Sequence, residues 1–325
     1  MARAVTRANG AAFPADADAA FARATRFLAD LAGELGTLPA LGEAPTSDLL
    51  QTSAPLAWSL RNLALAWGLD RGEPAPGSDT DPRLGWLRGR VGGVPEVWSA
   101  KTWSVWSYRE GAVGIAWLKI KNQPSRVVLD AGIPRGSPLS HAAPLSLTWQ
   151  VGPISVLADP GTGAGATDLC DAARNPAAHC RLNWLERPAP SSGTLERARV
   201  DGKKAKMEGW IVVEGLRQTR DVLLNQSRLL ITDAVEGPAA VQLCWQLGPG
   251  WRLEPTAEGW TGKNGGLTLL IQLPAALQWR LVEGQPAPEP VGWVWSDGVA
   301  QPAPCLLGTG EIGAGVRLVS SFEVR

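Results

Sequence analysis

The chain has 325 residues, 45% of them hydrophobic, which supplies a sizeable core and excludes a disordered chain. Its 31 Lys and Arg balance 31 Asp and Glu, which removes the simplest case for a nucleic-acid or acidic-membrane surface. With 37 Gly and 26 Pro it suits many short strands joined by turns, and its single Tyr and two His leave few side chains able to move protons near neutral pH.

The N-terminus begins basic, but no apolar stretch of a secretory leader follows. No run approaches the roughly 18 apolar residues of a membrane span. The expectation is a chain without a leader or a membrane span, cytoplasmic by default if Met1 is the true start. Residues 14 to about 70 read as helical. Pro14 suits a helix start, Asp16 and Asp18 suit its first turn, and Ala20, Phe21, Ala24, Phe27, Leu28 and Leu31 recur at helical spacing. Gly33 and Gly36 weaken that helix. Ser47 or Asp48 suits the cap of a second helix, carrying Leu49, Leu50, Leu56, Trp58, Leu60, Leu63 and Trp67. The Gly- and Pro-rich stretch 72–82 reads as a linker. These features make residues 1–95 a helical segment plus linker.

From about Trp98 the period changes to two. Strands are expected at 113–120, 145–149, 154–157, 210–213, 222–224, 229–232, 241–245, 267–271, 279–282 and 316–322. Turn signals such as Gly152-Pro153, Asp201-Gly202 and Gly265-Gly266 separate them. The pattern predicts a mainly β chain with an antiparallel β-sandwich over 96–325. The cysteines, Cys170, Cys180, Cys244 and Cys305, form no C-x-x-C pair, which argues against a zinc ribbon or a thioredoxin-like motif. They read as reduced structural thiols, with a Cys170–Cys180 disulfide as the alternative in an oxidising compartment.

Five short motifs stand in order: SYREG at 107–111, LDAGIP at 129–134, SHAAPLSL at 140–147, VLADPGTG at 156–163 and NPAAHC at 175–180. In that order and spacing they resemble the C-terminal domain of the heparinase II/III family of polysaccharide lyases. The later RQTRDVLL at 217–224, LLITDAVEG at 229–237 and GWVWSDG at 292–298 resemble the same sandwich, and GTLPALGE at 36–43 resembles a loop closing the family's helical toroid. The resemblance implies a sandwich of the lyase supersandwich type, preceded by a short helical remnant of an (α/α) toroid. It also implies an acidic polysaccharide partner, and a separate toroid-bearing chain if this one lacks its own.

The resemblance assigns zinc ligands to His141, Asp159 and His179, with the ion mainly structural. Two imidazoles and a carboxylate are donors that zinc takes. The bland alternative is two ordinary histidines and an aspartate that only caps its turn. Leu139 stands where the family has a catalytic His, Ala143 replaces the Asp of its H-x-H-A-D motif, and Cys180 replaces the Asn of A-H-N.

Such lyases cleave uronate polymers by β-elimination. A base removes a proton beside the carboxylate, an acid protonates the leaving oxygen, and a positive group offsets charge on the carboxylate. Tyr108, the sole tyrosine, is the candidate acid or base. Arg109, Arg174, Trp103 and Trp106 are the candidate substrate-binding residues. The bland readings are a sandwich tyrosine, a solvated arginine and packed indoles. Adjacent residues of one strand face opposite ways, so Tyr108 and Arg109 share a cleft only through a bulge. The alternative to a lyase is a non-catalytic sandwich that binds carbohydrate or a partner protein.

Overall fold

The computed structural model describes residues 14–35, 39, 103–108, 112–133, 143–161, 175–286, 291–296 and 299–325. The chain divides into two compact units, Met1–Pro39 with Thr46–Ala100, and Ala40–Pro45 with Lys101–Arg325.

In the first unit the described helix, α1, spans Ala15–Ala32 and runs into a 3-10 turn at Gly33–Leu35. It starts after Pro14 and ends at Gly33, whose φ is +44°, as the sequence predicts. Of the expected apolar stripe, the side chains of Ala20, Ala24, Phe27 and Leu31 are described. Leu31 is 3% exposed, whereas Ala20 and Ala24 face solvent because a methyl group gains little from burial. The second expected helix lies outside the described residues. No described helix is long and apolar enough to cross a membrane.

The second unit is a β-sandwich. In chain order the first ten strands are β1 Trp103–Tyr108, β2 Val113–Ile120, β3 Gln123–Asp130, β4 Ser146–Val151, β5 Ile154–Leu157, β6 Leu182–Trp184, β7 Ser192–Asp201, β8 Lys204–Val213, β9 Leu216–Asn225 and β10 Arg228–Val235. They are followed by β11 Ala239–Gln246, β12 Arg252–Thr256, β13 Gly259–Asn264, β14 Leu267–Gln272, β15 Gln278–Glu283, β16 Trp293–Ser296, β17 Val299–Pro302, β18 Pro304–Ile312 and β19 Arg317–Val324. All ten expected strands are present. Leu145 lies just outside β4, because its φ of +64° breaks the extended backbone. The strands that the periodicity misses are of two kinds. Polar or glycine-broken runs such as β7 and β18 carry no clean alternation, and the three-residue β6 is too short to show one.

One layer is an eight-stranded antiparallel sheet, ordered β12-β13-β14-β19-β10-β9-β8-β7. Against it stand a five-stranded sheet, β1-β2-β3-β4-β5, and a four-stranded sheet, β15-β18-β11-β6. A bridge between Leu157 and Leu247 and a hydrogen bond from Ala158 N to Gln246 O join these two. Period-two alternation sends Met207, Ile211, Val222, Leu224, Leu229, Ile231 and Phe322 inward from the larger sheet. They meet Leu129, Leu147, Trp149, Leu182, Leu243 and Trp245 in one core.

The inward face of β9 is not wholly apolar. Gln218 and Arg220, both 0% exposed, alternate with Val222 and Leu224. Arg220 is the cross-strand partner of Asp233 and donates Nε and Nη2 to its two carboxylate oxygens, each at 2.8 Å. Its Nη1 donates to Leu145 O at 2.7 Å and Cys180 O at 2.6 Å, and its guanidinium lies 5.1 Å from the Trp245 ring. Gln218 Nε2 donates to Leu182 O at 3.2 Å. Side chains of the opposite layer thus supply donors to carbonyls at and just before β6, which a buried backbone needs.

Candidate functional site

Asp159 lies two residues past the end of β5, in the Asp159-Pro160-Gly161 turn. One carboxylate oxygen, Oδ1, accepts from Gly161 N at 3.0 Å and closes the turn. Gly161 has a φ of +81°, a conformation that favours glycine. The other oxygen, Oδ2, stands 2.9 Å from His179 Nδ1. His179 follows a 3-10 turn at Pro176–Ala178, which Asn175 Oδ1 caps by accepting from Ala177 N at 2.9 Å. Asp159 is 7% exposed and His179 0%. Carboxylate and imidazole thus meet in a buried place, each held by its own turn. With a neutral ring whose Nδ1 hydrogen goes to Asp159, the lone pair sits on Nε2, as in carboxylate–histidine pairs that ligate metals or move protons.

Cys180 ties this pair to the sandwich. Its thiol contacts Ala158 O at 3.4 Å and Gln246 O at 3.3 Å, and its sulfur accepts from Gln246 N at 3.2 Å. A small polarisable group fits between these backbones, which accounts for Cys180 in place of the amide. Cys180 is a free thiol, and Cys170, its alternative disulfide partner, lies outside the described residues. Burial pushes its pKa well up, so it stays protonated. Arg181, the next residue, is 5% exposed. Burial works against its charged form, Arg220 adds repulsion, and Asp233 partly offsets both. Sequence reasoning missed Arg181 and Arg220. A basic residue inside an apolar strand pattern is the signal that marks Arg220.

Against the side of the turn lies the β16–β17 hairpin. Trp295 N donates to Pro160 O at 2.9 Å, and Val294 packs with Ala158 and Ala303.

The expected site residues are not all brought together. Trp103, Trp106 and Tyr108 lie on β1, at one edge of the five-stranded sheet, and Asp159 follows β5 at the other. Four strand spacings separate those edges, roughly 19 Å. Arg109, Leu139, His141 and Arg174 lie outside the described residues. Among the described residues, no three His, Cys, Asp or Glu side chains form a group able to hold a metal. Asp159 and His179 do present a nitrogen and an oxygen 2.9 Å apart. That is a hydrogen-bond distance, shorter than the roughly 3.3–3.5 Å between two ligands of one tetrahedral zinc, so in this arrangement Nε2 rather than Nδ1 is the ring atom left to face an ion.

The antiparallel β-sandwich shares its fold with solved heparinase III and heparan sulfate lyase structures. Compared with solved structures, the chain is similar to a heparinase III with methylated lysines, at 12% identity and a TM-score of 0.67 over 96% of this chain and 47% of that one. It is also similar to the heparan sulfate lyase HepC from Pedobacter heparinus, at 14% identity and a TM-score of 0.63 over 91% of this chain and 45% of that one. A further heparinase III gives 10% identity and a TM-score of 0.65 over 96% and 49%. The chain spans about half the length of these proteins. No protein-family model and no curated protein matches the sequence.

Proposed function

We propose that this chain is the sandwich part of a polysaccharide lyase that cleaves uronate-containing polymers by β-elimination. The observation that supports this most is the buried Asp159–His179 pair, set between two turns in a fold shared with heparan sulfate lyases. In such a reaction the proton on the carbon beside the uronate carboxylate leaves to a base. The glycosidic carbon–oxygen bond at the next carbon breaks, a double bond forms between the two carbons, and the departing oxygen takes a proton. Tyr108 is the proposed proton carrier. Arg109 and Arg174 are proposed to offset the carboxylate charge, and Trp103 and Trp106 to stack on sugars.

His141, Asp159 and His179 are the proposed ligands of a zinc ion, which when bound would supply positive charge and hold the loops in place. Asp159 fixes the His179 ring, and Gly161 N fixes Asp159. A second reading, a sandwich that binds polysaccharide without cleaving it, is favoured by Leu139 in place of the family's catalytic His. The test is incubation of the full chain with heparan sulfate, hyaluronan and alginate, followed by ultraviolet absorption of the unsaturated product. Product from any of them supports the lyase. Retention without product supports the binding reading.

A further inference from the structure

β16 alternates strictly. Val294 turns toward Ala158 and Ala303, so Trp293 and Trp295 leave the opposite face, two residues or roughly 6.6 Å apart. Both indoles are half-buried, and both have withdrawn their polar edge. Trp293 Nε1 donates to Gln285 O at 2.8 Å, and Trp295 Nε1 is buried. What they leave accessible is therefore ring carbon. The Trp295 backbone is bound to Pro160, and its Cβ would lie 3.4 Å from a Cβ added at Gly161, so this face adjoins the Asp159 turn. A cation stands beside it. Arg280 on β15 is exposed and donates Nη1 to Gln285 Oε1 at 3.1 Å, on the residue whose carbonyl holds Trp293. Glu283 has the opposite parity on β15 and leaves the other face of that strand.

Paired apolar ring surfaces next to a guanidinium match a chain of pyranose rings bearing carboxylate or sulfate groups. Each sugar offers a face of C–H groups to an indole and an anion to the arginine. We propose that Trp293, Trp295 and Arg280 form an acidic-polysaccharide subsite that leads the polymer to the Asp159 turn. This rests on the proposed function for the identity of the polymer, and on the hairpin's own geometry for its place.

The experiment is affinity electrophoresis of the full chain through gels containing heparan sulfate, alginate or neutral dextran, with elimination assayed in parallel. Trp295→Ala and Trp293→Ala are expected to weaken retention by heparan sulfate or alginate about tenfold each, equal to about 1.4 kcal/mol, while Trp295→Phe retains most of it. Arg280→Glu is expected to weaken retention by the acidic polymers and leave dextran mobility unchanged. Unfolding midpoints within a degree or two of the parent exclude misfolding as the cause. Should the Trp293→Ala/Trp295→Ala double variant be retained like the parent, the subsite is wrong, even if elimination proceeds. Retention that depends on these residues without any product keeps the subsite and removes the lyase. No retention of the parent by either acidic polymer overturns both.

Discussion

Replacing Arg220 by methionine keeps most of the side-chain volume and removes four hydrogen bonds and a charge from the core. The carboxylate of Asp233, 1% exposed, loses both donors, and the carbonyl of Leu145 loses its side-chain donor, whereas Cys180 O keeps the backbone N–H of Leu147. Breaking one side of a buried ion pair costs about 3–5 kcal/mol, because the other charge stays buried without compensation. For a unit of this size each kcal/mol lowers the midpoint by about 2–4 °C, so Arg220→Met should unfold roughly 6–20 °C below the parent. In the Arg220→Met/Asp233→Leu double variant the stranded charge is gone. Its deficit should shrink to the about 1–3 kcal/mol of an unsatisfied buried carbonyl. Urea unfolding followed by near-ultraviolet circular dichroism reads both, since Trp245 packs on the guanidinium. A single variant within about 1 kcal/mol of the parent would refute the reasoning, as would a double variant less stable than the single.

Three further outcomes follow from the same geometry. Asp159→Asn should remove the fixed charge facing His179, and zinc bound per chain in equilibrium dialysis should fall at least tenfold. Unchanged zinc would separate the pair from any metal. Gly161→Ala forces a methyl group onto a φ of +81° and should cost about 1–3 kcal/mol in urea unfolding, with the added methyl only in ordinary contact with Trp295; a variant as stable as the parent would refute the strain. Burial raises the pKa of Cys180 and of Cys244 in the folded state. Unfolded thiols therefore lose protons first, and stability should fall as pH rises above about 8.5, by about 1.4 kcal/mol per unit per thiol. A flat profile between pH 8 and 10 would contradict this burial.

The fold was legible in the sequence wherever one face of a strand meets the core and the other meets solvent, as in β8, β10 and β14. It was illegible in polar, glycine-broken or very short runs such as β7, β18 and β6, and where polar groups are buried. Arg220 and Gln218 look like surface residues until the carbonyls they donate to explain them. Asp159 and His179 were legible because the Asp-Pro-Gly turn and the sparse histidines draw the eye, and they do stand 2.9 Å apart. That Tyr108 lies four strands from Asp159 could not be read from motif order, since spacing along the chain says nothing about which sheet edge a strand occupies. The Trp293–Trp295 face was hidden among sixteen tryptophans, of which Trp117, Trp149, Trp184, Trp245 and Trp251 are buried.

The most direct test is the rate of unsaturated product formed from heparan sulfate by the parent and by His179→Gln, each with its unfolding midpoint. The account predicts product from the parent, a loss of at least a hundredfold in the variant, and a midpoint shift too small to explain it. No product from the parent, or equal rates from both, would contradict the dependence of elimination on the Asp159–His179 pair.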